Sequence, residues 1–211
     1  MQIEVWSDVV CPWCYIGKRR LEMALAKFPH WESVQVIWRS FELDRDAPRR
    51  YPGTLDEMLV KKYRVSPQQA AAMNAHVTEV AKEVGLEYRL SDAHPGNTFD
   101  AHRLIHFAAS RQLDDGASEL LMHAYFSESL EVGDHAALAR LAPKFGIAEN
   151  EAQAILQSDA YSDAVRADEA RAVEFGITAV PNFVIDENIG ISGAQPVEVF
   201  SSALEQAWKE A

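Results

Sequence analysis

Apolar and polar positions change period several times along this chain, and each change marks an element. Ile3 to Val10 is a short β-prone run, with Ser7-Asp8 near its end, and reads as a central strand. From Pro12 to Phe28 the period becomes helical. Ile16, Leu21, Leu25 and Phe28 recur on one face, while Lys18, Arg19, Arg20, Glu22 and Lys27 fall mostly elsewhere. Pro29 ends that helix. Val34 to Leu43 (VQVIWRSFEL), rich in β-branched and aromatic residues, is the best strand in the chain. Strand, helix, strand predicts a βαβ unit with a right-handed crossover.

Asp44 to Gly53 carries prolines and arginines and reads as a loop. From Leu55 to about Gly176 nearly everything is helical. Ser66-Pro67-Gln68-Gln69 is a capping-box start with Pro at the first helical position, and Gly85 marks that helix's end. Asn97 can cap a helix from Thr98 to about Gln112. Asp115-Gly116 predicts a break before a helix from Ala117 to Leu130. Asp134 can cap Ala136 to Phe145, which Gly146 stops, and Ser158 can cap a helix running to Phe175. Strand character returns at Asn182–Asp186 and Ile189–Ser192, flanking Glu187-Asn188 as a tight hairpin turn. Pro196 starts a last helix to about Lys209. Helices bracketed by two halves of one sheet predict an α/β domain from residues 1–54 and 177–211. A helical domain, 55–158, is inserted into it, and a helix over about 159–176 packs on the sheet.

The chain has 211 residues and 48% apolar content, enough for a packed core carrying a sizeable insertion. A formal net charge of −12 argues against nucleic acid or an anionic membrane as partner. No apolar run reaches the length of a membrane span. The N-terminus lacks the pattern of a signal peptide, so a cytoplasmic location is expected.

Two cysteines are present, and they stand together as Cys11-Pro12-Trp13-Cys14. In a reducing compartment a lone pair is catalytic more often than structural. A C-x-x-C between strand and helix reads as a thioredoxin-like redox motif. Cys11 falls where free backbone N–H groups and the helix dipole stabilise a thiolate. Pro12 suits the first helical position, because its missing N–H would be unpaired there anyway. Cys14, one turn on, is within reach of the Cys11 sulfur. Cys11 is then the attacking thiol and Cys14 the resolving one, with Trp13 and Tyr15 candidates for an apolar rim. A zinc site would need further ligands, and no second C-x-x-C exists. His102 and His106 stand at i, i+4 but lack a third ligand, so no metal is expected.

Gly176-Ile177-Thr178-Ala179-Val180-Pro181-Asn182-Phe183 is similar to the G-(V/I)-x-(G/A)-V-P-x-F segment of DsbA-like thioredoxin-fold proteins. Ser7 to Tyr15, Asn97 to Leu104 and Ser192 to Pro196 resemble the FrnE subfamily in particular. That group is related to 2-hydroxychromene-2-carboxylate isomerase and kappa-class glutathione transferase. The resemblance implies a thioredoxin-like fold (βαβ, helices, ββα) with a large all-helical insertion. It implies a cis Pro181 facing the cysteines, and a Val180 backbone that pairs with extended substrate. It places Asp8, Tyr15, Asn97, Thr98 and Gln195 as candidates for a substrate groove. Two departures matter. The transferases and isomerases carry serine where this chain has Cys11. Their Ser-Asp pair after a glycine is here Gly193-Ala194-Gln195. Both favour dithiol chemistry.

The expected activity is therefore thiol–disulfide exchange through a mixed disulfide on Cys11. Its partner would be a disulfide- or dithiol-containing protein or small molecule. No dissociable cofactor is needed, with glutathione a candidate co-substrate, and the chain would act as monomer or homodimer. Two alternatives stand beside this reading. One is a glutathione-dependent isomerase or transferase in which Cys11 activates glutathione. The other is a non-catalytic binding module using the groove beside Pro181.

Overall fold

The computed structural model describes residues 1–210. Its centre is β1 (Gln2–Ser7), flanked on both sides in a four-stranded sheet of order β2-β1-β3-β4. β2 (Gln35–Ser40) runs parallel to β1, in register from Gln2 opposite Gln35 to Ser7 opposite Ser40. β3 (Asn182–Ile185) runs antiparallel on the other side, with Val5 opposite Phe183. β4 (Ile189–Ser192) closes the edge by pairing with β3. The parallel pair requires a crossover, and α1 (Pro12–Leu25) supplies it. This is a thioredoxin-like fold with a mixed sheet and helices inserted between β2 and β3.

Both faces of β1 are covered, so every residue of the strand but Gln2 is buried, Glu4 and Ser7 included. Ile3 and Val5 join the main core with α1 and α9 (Val197–Glu210). Trp6 faces the other way, packing with Ala172, Ile177 and Val184 under α8 (Ser162–Glu174). Its indole N–H donates to the Asp168 carbonyl at 2.9 Å. Glu4 lies on the same face as Trp6, buried between Arg39 of β2 and Arg171 of α8.

The inserted helices are α2 (Leu55–Tyr63), α3 (Pro67–Glu83), α4 (Phe99–Ala109), α5 (Asp114–Ser127), α6 (His135–Leu141) and α7 (Glu149–Leu156). Helices α3 to α7 share one buried apolar cluster with α1 and the sheet, running from Ile3 through Tyr15 and Phe126 to Leu156, and half-buried Leu55 of α2 packs against it. The Ser66 capping box forms, with Gln69 N–H donating to Ser66 Oγ at 3.2 Å. Asp134 likewise caps α6.

Several expected boundaries move. The first helix stops at Leu25, and Ala26 and Lys27 continue as turn. The second strand is shorter at both ends than Val34–Leu43. Asp115-Gly116 does not break the chain but sits in the first turn of α5, where acidic residues suit the positive end of the helix. Ser158 does not cap α8. Its hydroxyl accepts from Ala160 N–H at 3.2 Å, and the helix begins at Ser162. α7 carried no cap signal and is added by the structure. In the hairpin the turn lies one residue early. Asp186 and Glu187 hold positive φ, 46° and 58°, and Asn188 N–H donates to the Ile185 carbonyl at 3.0 Å.

Candidate active site

The loop leaving β1 delivers Cys11 to the N-cap of α1, with φ −89° and ψ 111°, and Pro12 opens the helix. Cys11 N–H donates to the Asp8 carbonyl at 3.1 Å, and Cys14 N–H to the Cys11 carbonyl at 3.0 Å. Both cysteines are free thiols and both are buried. The Cys11 sulfur lies 3.7 Å from the Val180 carbonyl oxygen, and the Val180–Pro181 peptide bond is cis. Gly193 N–H holds the Pro181 carbonyl at 2.8 Å. Gly17 completes the contact from α1: a Cβ there would stand 3.1 Å from Pro181 Cγ and 3.1 Å from Phe183 Cζ.

The two sulfurs meet different surroundings. Burial pushes the Cys14 thiol well above the ordinary thiol range, and the neighbouring Cys11 sulfur adds to that. Asp8 N–H and the Ser7 hydroxyl act in the opposite direction. The Ser7 hydroxyl faces the Cys14 sulfur without the geometry of an ordinary hydrogen bond.

The other residues singled out in the sequence take varied places. Trp13 is 37% exposed, with its ring 6.1 Å from that of His76 on α3. Tyr15 is core, stacked near Tyr88 and Phe126, with its hydroxyl bonded to Glu119. Asp8 is buried. Its Oδ2 accepts from Leu43 N–H at 2.8 Å, and its Oδ1 stands 3.3 Å from His102 Nε2. That second contact is a close ionic approach rather than an aligned hydrogen bond. Asn97 Oδ1 accepts from Phe99 N–H at 3.0 Å, so its side chain serves the start of α4. Gln195 turns back onto the Ser192 carbonyl at 2.8 Å. His102 and His106 do not converge. His106 Nε2 reaches Asp168 at 3.0 Å and Ser40 Oγ at 3.1 Å, away from the Asp8 pair.

Beside the cysteines opens a groove of about 120 Å³, lined mainly by apolar side chains of the 43–63 segment and α5. Asp8, Val10, Pro12 and Thr98 line it together with Tyr51 and Met58. Neither Asn97 nor Gln195 lines it. Tyr88 was not visible from sequence. Its hydroxyl donates to the Pro12 carbonyl at 2.7 Å, fixing the first turn of α1 from an irregular segment. Lys18 was likewise missed as a buried charge. Its ammonium pairs with Glu22 and Asp115, each at 2.6 Å, and lies over the Trp38 ring.

The family profile described as a DSBA-like thioredoxin domain matches residues 2–205. The chain belongs to this DsbA-like family. The uncharacterized protein YwbO of Bacillus subtilis (strain 168) is 28% identical over 212 residues, covering 100% of this DsbA-like chain and 98% of the relative. A solved probable DsbA oxidoreductase of Streptomyces coelicolor superposes with a TM-score of 0.96 at 44% identity. The match covers 100% of this chain and 91% of that one. A 2-hydroxychromene-2-carboxylate isomerase shares the fold at TM-score 0.75 and 14% identity, over 100% of this chain and 97% of that one.

Proposed function

We propose that the protein is a thiol–disulfide oxidoreductase in which Cys11 carries the mixed disulfide and Cys14 resolves it. The observation that supports this best is the Cys11 sulfur at the open start of α1, against the Val180 carbonyl and beside cis-Pro181. A nucleophile there meets an extended substrate segment that pairs with the Val180 backbone. The apolar groove past Pro12 takes the side chains next to the substrate sulfur.

The electrons balance over two exchanges. The Cys11 thiolate attacks one sulfur of the substrate disulfide, a Cys11–substrate bond forms, and the other substrate sulfur leaves as a thiolate that takes a proton. Cys14 then attacks Cys11, the internal disulfide forms, and the second substrate thiolate departs. The substrate gains two electrons and the protein loses two. The reverse sequence oxidises a substrate dithiol. The sulfurs carry the electrons themselves, so no bound cofactor enters, and glutathione could serve as a small-molecule thiol partner.

Reduction of an insulin-type disulfide with a dithiol as electron source tests this reading. Wild type turns over, Cys11→Ser loses turnover, and Cys14→Ser turns over slowly while accumulating mixed disulfide. Equal turnover by Cys11→Ser and wild type would contradict it. An absolute requirement for glutathione that survives loss of Cys14 would point instead to a glutathione-dependent isomerase or transferase.

A further inference from the structure

Lys18, Arg19 and Arg20 are consecutive on α1, and the fold uses them differently. Lys18 pairs with Glu22 and Asp115, and Arg19 with Glu22 and Glu119. Arg20 pairs with no carboxylate among the described residues. Its guanidinium is half-buried and donates to the backbone carbonyl of Ala194 at 2.6 Å. A charged donor on a carbonyl makes a strong hydrogen bond. Here it joins segments 174 residues apart.

Ala194 lies in the turn between β4 and α9, and that turn reaches the site. Gly193, at φ 80°, donates its N–H to the Pro181 carbonyl at 2.8 Å. Gln195 closes the turn on itself. Its N–H donates to the Gly193 carbonyl at 2.9 Å, and its side-chain amide to the Ser192 carbonyl at 2.8 Å. On the other side of Pro181, Thr178, Ala179 and Val180 make no backbone–backbone hydrogen bond among the described residues. The nearest backbone tie of the loop that presents Val180 to Cys11 is therefore at Pro181. That tie leads through Gly193 and Ala194 to Arg20.

Helix geometry explains why Arg20 can do this. Cys14, Gly17 and Arg20 stand at i, i+3 and i+6, and so follow one ridge of α1. Gly17 on that ridge meets Pro181, where a Cβ would stand 3.1 Å from Cγ. Arg20, about one turn further, reaches past it to Ala194. α1 thus holds the cis-proline loop twice, by contact at Gly17 and through the 192–195 turn at Arg20. Both holds come from the helix that carries the cysteines, so sulfur and loop share one frame.

We propose that Arg20 is a positioning residue for disulfide exchange: through Ala194, Gly193 and Pro181 it holds the Val180 backbone at the spacing from Cys11 that an extended peptide substrate needs. This rests on the dithiol reading above. The Cys11 sulfur stands 3.7 Å from the Val180 carbonyl oxygen, and the Val180 N–H has no backbone partner among the described residues. A peptide that pairs there brings its own sulfur to Cys11 only if that spacing is kept. A misplacement of about 1 Å can cost about a hundredfold in rate. Arg20 touches neither sulfur nor substrate. A disulfide without a peptide backbone gains nothing from it, so Arg20 sets the preference for peptide over small disulfides.

Two substrates separate this role from a merely structural one. One is a peptide disulfide with a fluorophore and a quencher on its two halves. The other is a small aromatic disulfide that releases a coloured thiol. The second-order rate constant of the reduced protein is measured with each. Arg20→Ala should lose about tenfold on the peptide, the worth of one charged hydrogen bond. It should react with the small disulfide at the wild-type rate, which also shows that the variant is folded. Arg20→Lys keeps a charged donor on a long stem and should recover most of the peptide rate. Gln195→Ala loosens the same turn without touching α1, and should show the same selective loss. Wild-type rates on the peptide in both Arg20→Ala and Gln195→Ala would overturn the proposal, and so would an equal loss on the two disulfides. A wild type that reacts with neither disulfide would contradict the dithiol reading itself, and the role of Arg20 with it.

Discussion

Cys14 and Glu4 are both buried against the sheet, and they answer burial in opposite ways. Burial and the neighbouring Cys11 sulfur hold the Cys14 thiol in the neutral form. Burial also pushes Glu4 upward, but hydrogen bonds from Arg171 and Arg39 outweigh it and hold the carboxyl below the usual carboxylate range. The sign for stability follows. A depressed folded value contributes stability that is present above the unfolded value of 4.5 and is lost as pH falls through the folded one. Glu4→Gln should therefore cost about 1.5–3 kcal/mol at neutral pH. It should also flatten the acid side of the stability curve in urea unfolding at a series of pH values below 5. An acid limb as steep as wild type's would show that Glu4 contributes no such term. Tyr88→Phe removes one hydrogen bond to the Pro12 carbonyl and should cost about 1 kcal/mol, read from the urea midpoint. Neither residue could be read from the sequence. Glu4 sits in a strand whose alternation marks only that a residue faces one side, and its arginine partners are far along the chain. Tyr88 lies in a stretch with no periodicity at all.

α1 is the element on which the site is assembled, and most of its logic was local enough to read. The cysteine before a proline, the apolar stripe and the preceding strand are all within a few residues of one another. What the sequence did not show is how closely α1 approaches β3. Gly17 leaves little room for a side chain against Pro181 and Phe183, since even a Cβ would stand 3.1 Å from each. Gly17→Val should cost about 1–3 kcal/mol through overpacking. It should also slow disulfide exchange, because pushing α1 and Pro181 apart changes the placement of Cys11 against Val180 and Pro181. Urea unfolding and the insulin assay measure the two effects, and a variant normal in both would show that the approach is looser than drawn. The misplaced starts of α5 and α8 have a common cause. Asp, Gly and Ser signal caps and turns, but Asp114 and Asp115 also suit a first helical turn, and Ser158 satisfies a local turn instead. Propensity could not choose between them, because packing against α4 and the sheet decides.

Across the whole molecule the helical insertion and the sheet share one core, yet stability is not spread evenly. Strands β1 and β3 are enclosed on both faces, whereas α2 has no buried residue and rests on α3 and the groove. Among the described helices, α2 should show the fastest amide exchange, with β1 slowest, in hydrogen-exchange mass spectrometry. Equal protection in the two would mean that the groove wall is as rigid as the sheet. The βαβ start, the long helical stretch and the hairpin were readable because each depends on neighbours in sequence. The Asp8–His102 contact joins segments that only the fold brings together, and no periodicity marks it. At this scale the fold sets the Cys11 sulfur at the N-cap of α1 against Val180 and the Cys14 sulfur within the first turn. Mass spectrometry of Cys14→Ser after incubation with a disulfide-bonded peptide reads that arrangement. Nearly all of the protein should carry one peptide, mapped to Cys11, while wild type carries none and has gained an internal disulfide. An unmodified Cys11 under conditions where wild type becomes oxidised would contradict the mechanism.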